Sequence, residues 1–93
     1  MTAAEQVKKI FREEHGRILA ALISRLGDFE LAEDALQDAL VNALERWGRD
    51  GVPRNPAAWL LTVAKRRAVD RIRRATTLEQ KVETLESLVA EEE

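Results

Sequence analysis

The chain has 93 residues, 15 Lys or Arg against 17 Asp or Glu, a formal net charge of -2, 45% hydrophobic residues and 34% charged ones. This size and mix fit one small, soluble, helix-rich domain with a modest core. With no cysteine, disulfides and thiolate metal sites are excluded; no apolar run approaches the roughly 20 residues of a membrane span; and the polar first residues do not read as a signal peptide, so a cytoplasmic protein with no membrane partner is expected.

Thr2-Ala-Ala-Glu5 has the form of a capping box. Val7, Ile10, Phe11, Ile18, Leu22 and Leu26 follow at helical spacing, and Gly27 is a stop signal. A first helix is expected over residues 3–26. Asp28 is a candidate N-cap, with Glu30 and Glu33 suited to the positive end of a helix dipole. Ala32, Leu36, Ala39, Leu40, Ala43 and Trp47 then mark the apolar face of a second helix over residues 29–47. Glu30, Asp34, Gln37, Asp38 and Val41 lie along another face.

The stretch GRDGVPRNP, residues 48–56, reads as a loop closing on an Asn55 cap and a proline at the first helical position. A third helix is expected over residues 56–75, with Leu60, Leu61, Ala64, Ala68 and Ile72 on its apolar side. The β-branched pair Thr76-Thr77 predicts an interruption. A last amphipathic helix over residues 77–90 follows, with Leu78, Val82, Leu85 and Val89 as its seam. Nothing reads as a strand. The predicted fold is all-α: a compact bundle of three core helices plus a C-terminal amphipathic helix.

Charge is sorted along this chain. Residues 1–48 hold six Lys/Arg and nine Asp/Glu, residues 49–74 eight and two, and residues 75–93 one and six. A global pI near 5.5 therefore hides a basic middle of +6, which makes nucleic acid a candidate partner. Catalytic groups are scarce. His15 is the sole histidine and reads as an interfacial side chain; Ser24 and Ser87 lie outside any nucleophile-elbow context. Metal-ligand spacing is absent, and Glu30 with Asp34 reads as a solvated or partner-facing stripe rather than a cation site. No cofactor and no enzymatic activity are expected.

Two segments in order carry a resemblance. In GDFELAEDALQDALVNALERW, Ala32-Glu33-Asp34-Ala35-Leu36-Gln37-Asp38 leads to Trp47. In DGVPRNPAAWLLTVAKRRAVDRIRR, Asn55-Pro56, Trp59-Leu60, Ala64-Lys65, Ala68-Val69-Asp70 and Ile72-Arg73-Arg74 stand out. Together they resemble region 2 of bacterial sigma factors of the extracytoplasmic-function (ECF) group, within the sigma-70 superfamily. The resemblance covers about residues 5–75. Arg66 departs from it, standing where many members have Asn. The family's helix-turn-helix second domain, region 4, has no counterpart in these residues. The expected organisation is a region-2 domain over residues 1–75 and the acidic start of a linker over residues 76–93, cut from a longer protein.

The resemblance implies two jobs. Glu30, Asp34, Gln37, Asp38 and Val41 on the second helix would dock on the coiled coil of the beta-prime subunit of RNA polymerase. The loop before the third helix would hold a flipped base of the non-template strand of the promoter −10 element, through Arg49, Arg54 and Asn55. Lys65, Arg66, Arg73 and Arg74 would track its phosphates. Asp70 would order Arg66, Arg73 and Arg74 through local pairs. Arg67 and Arg71 share the side of Lys65, Arg66 and Arg73 less readily. Trp47 and Trp59 close apolar stripes and read as core rather than as base-stacking platforms. An anti-sigma factor, and a second copy paired through the C-terminal helix, are further partners this reading admits. Two other readings use the same residues: a stand-alone helical nucleic-acid-binding module, and a structural helical oligomer.

Overall fold

A computed structural model describes residues 2–92, and their side chains as far as Leu88. Thr2 opens helix α1, Ala3–Leu26; its hydroxyl accepts from the Glu5 backbone N–H at 3.2 Å. Gly27 closes the helix at φ 68, with its N–H donating to the Ile23 carbonyl. That left-handed conformation strains any residue with a Cβ. Asp28 caps helix α2, Phe29–Asp50, by accepting from the Leu31 N–H at 3.0 Å. Asn55 caps helix α3, Pro56–Glu92, accepting from the Ala58 N–H at 3.1 Å. Each cap satisfies an amide that the helix itself leaves unpaired. The chain is thus three helices with no strand among the described residues.

Two expectations are corrected. The second helix runs past Gly48 and ends at Asp50, because Gly51, at φ 88, is the residue that leaves helical geometry; its N–H still donates to the Trp47 carbonyl. The loop therefore shrinks to residues 51–55. The expected break at Thr76-Thr77 is absent, and the C-terminal helix is the outer part of α3. The Thr76 and Thr77 hydroxyls donate back to the Ile72 and Arg73 carbonyls at 3.0 and 2.9 Å. β-Branching costs a helix only tenths of a kcal/mol per residue, and neither a glycine nor a proline stands there to stop it.

Helix α2 lies between its neighbours and supplies half of the core. Its buried face is Ala32, Ala35, Leu36, Ala39, Ala43 and Trp47, which meets Val7, Ile18 and Leu22 of α1 and Leu60, Ala64 and Ala68 of α3. The many alanines let the helix axes come close. Trp47 is 4% exposed and sits edge-on to Trp59, ring centroids 5.4 Å apart. Both tryptophans pack in or against the core, as their positions in the sequence predict. His15 stacks at a tilt on Phe11, 4.4 Å between centroids. Among the described side chains of α3 none beyond Ala68 is buried; residues 69–88 form an exposed arm.

Candidate partner and nucleic-acid surfaces on α2 and α3

Helix α2 buries one side, so its opposite side must face solvent. Glu30, Asp34, Gln37, Val41 and Glu45 step by four, three, four and four residues and fall on that outer side. All five are exposed, and Leu44 beside them is exposed too. The stripe is an acidic surface with an apolar centre, Val41 and Leu44. Asp38 leans off it toward α3 and is half-buried.

The connection between α2 and α3 holds the next group. Arg49, in the last turn of α2, lies 3.8 Å from the Asp50 carboxylate. Arg54 and Asn55 are exposed. The Asn55 Oδ1 is engaged in the helix cap, which leaves its amide N–H groups available.

Helix α3 divides its basic residues between two faces. Arg66 and Arg73 are two turns apart, exposed and on the outer side, with Lys65 half-buried at their flank. Arg67, Arg71 and Arg74 step by four and three and line an open cleft of about 450 Å³ between α2 and α3. Asp38, Val41, Asn42 and Glu45 form the facing wall.

One side chain ties the two helices together across the mouth of this cleft. Arg71 donates from Nε and Nη2 to the same Asp38 carboxylate oxygen, at 3.1 and 2.9 Å. Its Nη1 lies 3.8 Å from Asp34. The hydrogen bond to Asp38, and then that carboxylate's charge, raise the Arg71 pKa above its ordinary value. The local pairs expected of Asp70 with Arg66, Arg73 and Arg74 are not formed; among the described residues the acids that order this segment come from α2. The sequence does carry a signal for the cleft, the i, i+4, i+7 spacing of Arg67, Arg71 and Arg74. It holds none for the cross-helix pair, which depends on how α2 and α3 pack.

Among the described residues no cluster of His, Asp or Glu could hold a metal ion, and no helix is long and apolar enough to cross a membrane. No solved structure matches the chain. A curated protein of Rhizobium meliloti (strain 1021), itself uncharacterized, is 43% identical over 56 residues; the match spans 60% of this chain and 13% of that protein's length. The model of the Sigma-70 region 2 family matches residues 10–77, from the first third of α1 through both charged surfaces and into the arm. With most of its length accounted for by that model, the chain belongs to the Sigma-70 region 2 family, a family of transcription initiation factors rather than enzymes.

Proposed function

We propose that this domain is region 2 of an ECF sigma factor working in the cytoplasm. In this reading it docks on the beta-prime coiled coil of RNA polymerase through α2, and captures the non-template strand of the promoter −10 element through residues 49–55 and α3. The observation that carries the proposal is the family match across adjacent surfaces of opposite charge, an acidic stripe on α2 and a basic run on α3. Glu30, Asp34, Gln37, Asp38 and Val41 are assigned to docking, where charge guides encounter and register while Val41 and Leu44 supply apolar contact.

Arg66, Arg73 and Arg74, flanked by Lys65, are assigned to phosphates. Phosphate contacts position a strand without reading it. Reading is assigned to the exposed connection, where Arg49, Arg54 and the free Asn55 amide flank a backbone opened by Gly51. Flipping a base costs a few kcal/mol of unstacking, offset by contacts to the flipped base and its phosphates. Binding energy alone drives the opening, with no covalent step.

The test compares cognate non-template strand, its complement and duplex at low salt, where a domain without polymerase is expected to bind at roughly 10⁻⁴–10⁻⁶ M. The cognate strand is expected to win, and Asn55→Ala to erase that preference while leaving nonspecific binding. Equal binding of duplex would favour a stand-alone helical nucleic-acid binder. No salt-dependent binding at all would favour a structural oligomer. In parallel, reversing Asp34 and Asp38 to Lys is expected to weaken binding to the isolated beta-prime coiled coil at least tenfold, with helical content unchanged.

A further inference from the structure

The arm of α3 carries an exposed apolar stripe. Leu78, Val82 and Leu85 are 63%, 43% and 61% exposed, and Ala75 below them is exposed too. With Ala75 and Val82 at the a positions of a heptad, Leu78 and Leu85 take the d positions. The charges flanking this stripe are sorted by sign. A shallow groove on one side of Leu78 is lined by Arg73, Arg74 and Lys81, and one on its other side by Glu79 and Glu83. In heptad terms Arg74 and Lys81 hold the g positions, whereas Glu79 and Glu86 hold the e positions. We propose that this face binds a second copy of the chain: two arms pair over residues 75–88 as a parallel, in-register, two-stranded coiled coil, with Arg74 against Glu79 and Lys81 against Glu86 of the other copy.

The charge pattern selects both the occupant and its direction. In a parallel pair each g residue meets the e residue five positions on in the neighbouring helix, which here joins a base to an acid at both g positions. An antiparallel pair would set basic flank on basic flank and acidic on acidic. A helix that complements a stripe with one basic and one acidic edge needs the same two edges, and a second copy supplies them in register. Valine at a with leucine at d also favours two parallel strands. The fold leaves room for the pair: α3 has 37 residues and α2 has 22, so the arm projects past the body. Toward the body α2 covers the same face at Leu60, Ala64 and Ala68, so the two copies diverge below Ala75. The seam buries few side chains, and association is expected to be weak, half complete at about 10⁻⁴ M. The inference does not rest on the function proposed above. The two meet only at Arg74, which serves either a phosphate or the other copy's Glu79.

The experiment uses the whole chain in sedimentation equilibrium over a concentration series around that value, with circular dichroism to check folding. The parent is expected to pass from monomer to dimer. Lys81→Glu sets Glu against Glu86 on both sides of the seam, and Glu86→Lys sets Lys against Lys81. Each is expected to weaken association about tenfold, as two exposed pairs turn from attraction to repulsion. The double variant, or an equimolar mixture of the two single variants, restores opposite charges and is expected to recover the parent's affinity. In an antiparallel pair Lys81→Glu exchanges one like-charge contact for another, so an unchanged affinity would overturn the proposed direction. The chain has no cysteine, which lets Leu85→Cys report the register. Equivalent d residues face each other in a parallel pair, and an interchain disulfide is expected to form in glutathione buffer far faster than from Ser87→Cys on the outer f position. Equal crosslinking from the two variants, or a parent that stays monomeric throughout the series, would overturn the proposal. A monomer leaves the function proposed above standing.

Discussion

Residues 56–68 of α3 bury Leu60, Ala64 and Ala68 against α2, whereas residues 69–88 of the same helix are exposed throughout. The pattern of apolar residues does not change at that boundary. Leu60, Ala64 and Ala68 are continued by Ala75, Leu78, Val82 and Leu85 at spacings of three, four or seven, on one helical face. What changes is the neighbour: past Ala68 α3 touches α2 only through charged side chains such as Arg71, and farther out it outlasts α2 altogether. Helix α2 has 22 residues and α3 has 37, so at about 1.5 Å per residue α3 outruns its partner by about 22 Å. Leu78 and Leu85 are consequently 63% and 61% exposed although their pattern is that of a core. Amphipathic spacing thus specifies which face of a helix is to be buried; the length of the neighbouring helix specifies whether it is.

The comparison can be broken most directly in the core. Leu60→Ala or Trp47→Ala is expected to cost about 2–5 kcal/mol in urea unfolding, because each leaves a cavity among residues that cannot fully collapse. If Leu60→Ala were as mild as a change in the arm, the packed half of α3 would not be the stabilising half. A proline at position 78 is the next probe. It should cost the arm about 3 kcal/mol of local helix stability and lower the helical signal, yet leave the urea midpoint of the body in place. A coincident loss of both would show that the arm and the body unfold as one unit.

Smaller effects sharpen the same contrast. Asn55→Ala removes the cap at the start of the packed half and is expected to cost about 1 kcal/mol, measured by thermal unfolding, besides its effect on strand preference. Val82→Ala in the arm should stay within about 0.5 kcal/mol, as surface substitutions do. Arg71→Gln belongs with these small effects for stability, about 0.2–1 kcal/mol for an exposed pair.

Much of the local structure was legible because its causes are local. Thr2, Asp28 and Asn55 each bond an amide three residues on, and those contacts form within one turn whatever the rest of the chain does. Gly27 ends α1 for the same reason. The expected stops at Gly48 and at Thr76-Thr77 do not occur because both are weak signals. A glycine ends a helix only where its backbone leaves helical geometry, which Gly51 does at φ 88 and Gly48 does not. A threonine pair can turn its hydroxyls onto the preceding carbonyls and continue. The acidic stripe on α2 and the division of basic residues between faces of α3 also follow from spacing alone.

The residues themselves determined three helices' worth of amphipathic pattern, their caps, the charge sorted between α2 and α3, and membership of the Sigma-70 region 2 family. Only the tertiary structure decided which charges meet. Asp70 has Arg66, Arg73 and Arg74 within one turn, and sequence spacing favours those pairs. Arg71 instead reaches 33 positions back to Asp38, because the packing of α3 on α2 brings Arg71 beside that carboxylate. Helical spacing fixes distances along one helix; the distance between two helices is set by the side chains packed between them, here Ala39, Ala64, Ala68 and their neighbours.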